Sequence, residues 1–397
     1  MKSISELDPA GKRVFIRVDF NVPVDDQGMI TDDTRIRAHL PTINYVTERK
    51  GKAILASHLG RPKGKRADKY SLKPAALRLS ELLGREVKFA DDCIGPDAEG
   101  AVAAMKEGDV LLLENLRFHA EEEKNDKGFS QSLARLADIY VDDAFAVAHR
   151  GHASNAGITA FVKTCAVGLL LQSELDYLKK ATETPIRPLV AIIGGAKVSD
   201  KIAVLDRLVE KVDKLLIGGG MAFTFLKALG CEVGKSLCEI DMLDTARAIM
   251  EKAKARRVRL YLPVDCVVAQ AAAADAVAIY VPVQEIPKEW MALDIGPAST
   301  TLFGEAVADA KTIVWNGPMG MFELDPFSRG TYGLVNFVAS SHALTIVGGG
   351  DTDTAVHKAG EAHRISYIST GGGAFLELLE GKTMPAVEAL ETCGGKL

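Results

Sequence analysis

The sequence has no CxxC pair, no unbroken apolar span and no excess of positive charge. Its six cysteines (Cys93, Cys165, Cys231, Cys238, Cys266, Cys393) are scattered, so small buried thiols in a reducing cytoplasm are expected rather than a disulfide framework. The first residues, MKSISELDPAGKRVF, lack the apolar core of a secretory leader. The longest charge-free stretch, 330–350, is broken by Gly333, Asn336, Ser340, Ser341 and His342. It reads as helix, turn and strand, not as a membrane span of ~20 apolar residues. Lys and Arg number 48 against 53 Asp and Glu, a net charge of −5. That balance excludes a globally basic nucleic-acid binder, and the few aromatics do not interleave with basic residues as single-strand stacking needs.

What is present is ordinary globular composition, 47% hydrophobic and 25% charged, over a length of 397 residues that accommodates two or three domains. Short apolar runs alternate with helical stretches throughout. Val14-Phe15-Ile16-Arg17-Val18, Ala53 to Ala56, Val110 to Leu113 and Ile139 to Val141 lie in the first half. Leu189 to Ile193, Leu215 to Ile217, Leu260 to Leu262, Ile313 to Trp315, Leu344 to Val347 and Ile365 to Ile368 lie in the second. Near-continuous hydrophobicity marks strands buried on both faces, and the alternation with helices marks βαβ units. The chain therefore reads as α/β, with two lobes, each a parallel sheet flanked by helices. A helix and a proline-rich turn, residues 171–188, separate a lobe over 1–170 from one over 189–380, and residues 381–397 form a terminal segment.

Ligands of parallel sheets bind beyond the carboxyl ends of the strands. In the first half those ends carry Asp19-Phe20-Asn21, Ser57-His58-Leu59-Gly60-Arg61, Glu114-Asn115-Leu116-Arg117 and Asp142 to Phe145, followed by His149-Arg150-Gly151-His152. Arg35 and Arg37 follow the first strand. Guanidinium groups repeated at strand ends suit a small, multiply charged anion. The second half has glycine there instead: Gly194-Gly195 before Lys197 and Lys201, Gly218 to Gly220, Gly317, Gly348 to Gly350 before Asp351-Thr352, and Gly371 to Gly373. Glycine at strand-to-helix turns lets phosphate reach backbone amides, so Mg-nucleotide is the expected ligand. Gly230 to Ser236 is one residue short of a P-loop and follows a helical stretch; the glycine clusters do not complete GxGxxG. His149 and His152 lack metal-site context, and Glu121-Glu122-Glu123 reads as a solvated charge run. The residues alone thus describe a two-lobed phosphotransferase.

The ordered strings RVDFNVP, SHLGRP, ENLRF, DAFAVAHRGHAS, GGAKVSDK, GGGMAFTFL, VWNGPMGMFE, GGGDT and STGGGAF resemble the phosphoglycerate kinase family over essentially the whole chain. The resemblance implies two Rossmann-like lobes with a hinge and a C-terminal segment returning to the first lobe. It implies reversible phosphoryl transfer between ATP and the carboxylate of 3-phosphoglycerate, giving ADP and 1,3-bisphosphoglycerate, by a cytoplasmic monomer with Mg²⁺. It assigns the acceptor to Asp19, Asn21, Arg35, His58, Leu59, Gly60, Arg61, Arg117, His149 and Arg150. It assigns the nucleotide to Gly195, Lys197, Lys201, Gly219, Gly296, Glu323, Gly349, Gly350, Asp351 and Thr352, with Asp351 on Mg²⁺. Arg35, Lys197, Gly372 and Gly373 match the groups around the transferred phosphoryl. Asp142, Gly151 and Asp353 depart from the family pattern. Two rivals are a kinase of another small acid and a non-catalytic two-lobed binding protein.

Overall fold

The computed structural model describes residues 1–25 and 27–393. Its internal contacts divide the chain into two units, Met1–Asp176 with the segment from Thr383 onward, and Tyr177–Lys382. Residues 394–397 of the expected returning segment lie outside the described residues.

The first unit begins with β1 (Arg13–Arg17), α1 (Thr34–Glu48), β2 (Lys52–Ala56), α2 (Lys73–Leu83), β3 (Val87–Ala90) and α3 (Gly95–Ala103). It continues with β4 (Val110–Leu113), α4 (Ala120–Glu123), α5 (Lys127–Ala134), β5 (Ile139–Asp142), β6 (Cys165–Val167) and α6 (Leu169–Thr182). Its six strands pair in the order β3-β4-β2-β1-β5-β6, all parallel. Val14, Phe15, Ile16, Leu55, Leu112 and Val141 are fully buried, as strands covered on both faces require. Each such side chain contributes about 1.5–3 kcal/mol by leaving water. From β1 the chain crosses to β2 on one side, while β5 pairs on the other. That reversal opens a crevice at the carboxyl ends of β1 and β5.

The second unit comprises β7 (Leu189–Ile193), α7 (Ile202–Leu208), β8 (Lys214–Ile217), α8 (Met221–Ala228), α9 (Leu243–Ala255) and β9 (Arg259–Tyr261). Next come β10 (Asp265–Ala269), β11 (Ile279–Pro282), β12 (Met291–Ile295), α10 (Pro297–Val307), β13 (Thr312–Asn316) and α11 (Arg329–Ser340). It closes with β14 (Leu344–Gly348), α12 (Gly350–Lys358), β15 (Tyr367–Ser369) and α13 (Gly372–Leu379). The main sheet, β15-β14-β13-β7-β8-β9, is again parallel and reverses between β7 and β13. Finally α14 (Pro385–Thr392) returns to the first unit, where Ala386 N–H donates to Ala148 O at 3.2 Å.

Four features depart from the sequence reading. The short strands β3 and β6 are unheralded, because Lys88 and the three residues of β6 give no long apolar run. A separate antiparallel sheet, β11-β10-β12, covers part of the second unit. Cys165 and Cys393, 228 residues apart, form a disulfide between β6 and the end of α14, which corrects the expectation of free thiols throughout. Glu122 is fully buried rather than solvated, because α4 turns it inward while Glu121 and Glu123 stay outside.

Candidate active site

The carboxyl edge of the first sheet is held together by side chains. After β1, the Asp19 carboxylate takes Arg35 Nη1 at 2.7 Å, and the same nitrogen reaches Asn21 O at 3.3 Å. Asn21 Oδ1 accepts from Gly60 N–H at 2.9 Å, and Arg117 Nη1 donates to Gly60 O at 2.9 Å. Asn115 accepts from Arg117 N–H and donates to Leu59 O at 2.8 Å. The loops after β1, β2 and β4 are thereby one bonded unit. Gly60 makes this possible: its φ is +62°, and a Cβ there would lie 2.4 Å from the Tyr70 ring.

Positive charge is crowded behind that edge. Arg17, 1% exposed at the end of β1, donates from Nε to Ser154 Oγ at 2.8 Å and lies 3.3 Å from His58 Nδ1. An arginine only donates, so Nδ1 is the acceptor and the neutral His58 ring keeps its proton on Nε2. Burial, and then Arg17, Arg117, Arg150 and Arg35, push the His58 pKa well below its ordinary value. His152 is driven to about 3 by burial and the charges of Arg17, Arg117, Arg150 and His149. Burial, with repulsion from Arg17 and Arg150, lowers even the Arg117 pKa against the opposing pull of Glu123, whose Oε1 lies 3.2 Å from its Nε; its buried Nη2 has no hydrogen-bond partner. Ser154 in turn donates to Glu122 Oε1 at 2.6 Å. A pocket whose arginines repel one another and whose histidines stay neutral is arranged for an anion from outside.

The carboxyl edge of the second sheet is made of backbone. Gly194 and Gly317, after β7 and β13, are in contact: a Cβ on Gly317 would stand 2.3 Å from Gly194 O. Gly219 has a φ of +67° and lies so close to Gly195 that a Cβ would meet its backbone at 2.6 Å. Lys201 Nζ donates to Asn316 Oδ1, while Asn316 Nδ2 donates to Gly348 O at 2.7 Å. Burial lowers the Lys201 pKa to about 8 against the opposing pull of Asp351 and Asp200. The helix starts at Gly350 and Gly372 are neighbours, since a Cβ on Gly372 would be 3.3 Å from Gly349 Cα. Helix N-termini so placed present free amides to phosphate oxygens. Beside them lies a cleft of about 760 Å³ with apolar walls, including Phe223, Leu237, Met291, Leu293, Met319 and Leu324.

The cleft brings some of the anticipated residues together and leaves others apart. Gly195, Gly219, Glu323 and Asp351 line the cleft. Lys197 is exposed at the end of the first glycine loop. Thr352 is fully buried, and its Oγ1 accepts from Gly317 N–H at 2.7 Å, so it ties two loops together. Gly296 caps α10 around the Asp265 carboxylate and does not line the cleft. Asp353 pairs with His357 of its own helix at 2.7 Å. Arg61 is exposed, and Arg150 Nε donates to His149 Nε2 at 3.0 Å. Arg17, His39, Glu122 and Ser154 were not marked as site residues by the sequence pattern; a charge inside a strand buried on both faces was the available signal for Arg17. Asp351 offers a hard, exposed oxygen donor next to Lys201, which suits Mg²⁺ accompanying a nucleotide. Asp92, Cys93 and His119 also lie within ligand distance of one another, but His119 Nε2 already bonds Asp92 Oδ1 at 2.7 Å and burial pushes the Cys93 thiol well up.

Two parallel α/β sheets, one ending in buried arginines and the other in glycine turns, define a phosphotransferase-like architecture. The phosphoglycerate kinase family model matches residues 4–382. Phosphoglycerate kinase of Citrifermentans bemidjiense is 62% identical over 385 residues, 97% of this chain and 96% of that protein. The Syntrophobacter fumaroxidans protein of the same name is 55% identical over 396 residues, covering 100% of both. The phosphoglycerate kinase structure from Coxiella burnetii superposes with a TM-score of 0.90 at 45% identity, covering 98% of each chain. That from Pyrococcus horikoshii OT3 gives 0.86 at 31%, covering 100% of each. The chain belongs to the phosphoglycerate kinase family.

Proposed function

We infer that this protein moves a phosphoryl group reversibly between ATP and the carboxylate of 3-phosphoglycerate, the glycolytic reaction of its family. The observation that carries the reading is the crowded arginine pocket of the first unit, Arg17 and Arg117 buried beside the Asp19–Arg35 pair. We place 3-phosphoglycerate there, on Asp19, Asn21, Arg35, His58, Leu59, Gly60, Arg61, Arg117, His149 and Arg150. Mg-nucleotide belongs to the second unit, its base against the apolar cleft and its phosphates on the amides of Gly349, Gly350, Gly372 and Gly373, with Lys197, Lys201 and Asp351 nearby. No helix among the described residues is long and apolar enough to cross a membrane. We propose a cytoplasmic monomer.

The chemistry follows from charge. A carboxylate acceptor is already ionised at neutral pH, with an ordinary pKa of ~4, so it needs no general base. The neutral His58 and His152 fit this, because neither has to carry a proton away. What remains is to bring two anions together and stabilise the charge on the transferred group. Arg35 turns from Asp19 to the acceptor, and Lys197 neutralises the transferring oxygens. Bound Mg²⁺ would be held through Asp351 and would supply further positive charge at the nucleotide phosphates. Transfer requires the acceptor edge and the nucleotide edge to meet, so hinge closure with exclusion of water belongs to the mechanism.

The test is ATP consumption by the purified chain with 3-phosphoglycerate, with and without a chelator, against other phosphorylated acids. Rapid, chelator-sensitive turnover with 3-phosphoglycerate alone is expected; equal turnover with another acid would overturn the acceptor assignment.

A further inference from the structure

One face of α1 runs from the acceptor edge to the start of α6. Arg35, His39 and Thr42 are spaced four and three residues apart, which stacks them along one side of the helix. Arg35 holds the Asp19 carboxylate. One turn on, His39 is buried, and its Nε2 accepts from Asp19 N–H at 2.9 Å while its Nδ1 meets Asp143 Oδ2 at 2.9 Å. A backbone N–H can only donate, so the His39 ring carries its proton on Nδ1 and donates it to Asp143. Asp143 Oδ1 then accepts from Leu170 N–H at 2.9 Å and from Leu171 N–H at 3.3 Å. One turn further along α1, Thr42 Oγ1 accepts from Leu169 N–H at 2.9 Å.

The amides of Leu169, Leu170 and Leu171 open α6 and have no partner within the helix. All are held by groups that α1 either carries or orients. The division between the two units falls within α6, after Asp176. The space for this arrangement is kept by Gly168, whose Cβ would lie 2.1 Å from Asp143 Oδ1.

We propose that His39 is a positioning residue that transmits occupation of the acceptor site to the N-terminus of α6. This rests on the reading of Asp19 and Arg35 as acceptor ligands. An acceptor anion competes with Asp19 for the Arg35 guanidinium. Released, Asp19 shifts its backbone, and His39 follows because its Nε2 is bound to that backbone. The shift passes through Asp143 to the first turn of α6, while Thr42 moves the adjacent amide with the same helix. His39 touches no reacting atom; its effect is on how the loaded acceptor site sets the helix that leaves the first unit.

The experiment is amide hydrogen exchange on the full chain, read on peptides covering the start of α6, with and without 3-phosphoglycerate. The unmodified protein is expected to change exchange there on binding, and no change would overturn the proposal. His39→Leu is expected to lose that response and to lower kcat by about tenfold, with acceptor affinity altered by less than about threefold. His39→Gln, which again offers one acceptor and one donor, restores both. A full α6 response in His39→Leu overturns the proposal, as does a Gln variant that regains stability without regaining kcat and the response. If His39→Leu does not fold, Thr42→Val gives the same readout: a weakened response supports the relay and an unchanged one overturns it. Failure of the underlying site is separate, because it shows as unchanged 3-phosphoglycerate affinity in Arg117→Ala.

Discussion

The two sheet edges reach anion binding by opposite means. The first uses long, buried, charged side chains, Arg17 and Arg117, that crowd together and are only partly offset by Glu122 and Glu123. The second uses amides, glycine contacts and an apolar cleft, with Lys197 exposed and only Lys201 deeply set. Side-chain charge is directional and bidentate, so it can select the shape of a small acid. Amide dipoles at helix starts accept phosphate of varied geometry, and an apolar wall accepts a planar base. Under the proposed function, the difference would put substrate selectivity on the acceptor side and tolerance on the nucleotide side.

The largest expected effect joins the two edges. Arg35→Ala and Lys197→Ala should each lower kcat by roughly 10²–10³, with little change in ground-state affinity, because their charge matters most where negative charge develops. Steady-state kinetics giving a normal kcat and only a raised KM would remove those roles. Arg117→Ala should weaken 3-phosphoglycerate binding by roughly 10–100-fold and leave ATP affinity unchanged. Calorimetric titration of both ligands checks this, and equal losses for the two would break the division of labour. Its counterpart, Leu237→Asp in the cleft wall, should raise the KM for ATP by roughly tenfold without changing acceptor affinity.

A smaller effect concerns buried charge. Asp142 is fully buried at the end of β5; its Oδ1 accepts from Ala144 N–H at 3.0 Å, and its Oδ2 has no partner. Burial raises its pKa to about 7, from an ordinary carboxyl value of 3.8. The folded state therefore keeps a proton that the unfolded chain has lost, so this group's contribution to stability falls as pH rises between those values. Asp142→Asn keeps the accepting oxygen and removes the titration. It should add about 2 kcal/mol at about pH 8 and almost nothing at about pH 4, measured by denaturant unfolding. Smallest is Cys393→Ser, expected to cost at most about 2 kcal/mol in oxidising buffer, because α14 also packs through Ala386 and Leu390. Thermal unfolding with and without reductant should show the same loss in the unmodified protein only when reductant is present.

The sequence made the repeated βαβ plan and both rims readable, since buried parallel strands and strand-end loops leave a compositional trace. Phe223, Leu237 and Met291 carried no chemical signal, because an apolar wall for a base looks like core. Arg17 was hidden as one letter inside an apolar run. Glu122 was hidden by its neighbours, because three successive glutamates do not say which one the helix turns inward. His39 could not be assigned without knowing that α1 lies against both Asp19 and Asp143. The Cys165–Cys393 bond spans most of the chain, a distance at which local pattern says nothing.

The strand β6 closes one side of the first sheet, yet it is not left open. Ser3 bridges Val167 in parallel, and Val167 N–H donates to Lys2 O at 2.9 Å. With the Cys165–Cys393 bond, both terminal segments converge on three residues of strand. An uncovered β6 would present unsatisfied amides and carbonyls on which another chain could stack. Detaching either terminal segment therefore endangers solubility before it touches catalysis: self-association through this margin would come first.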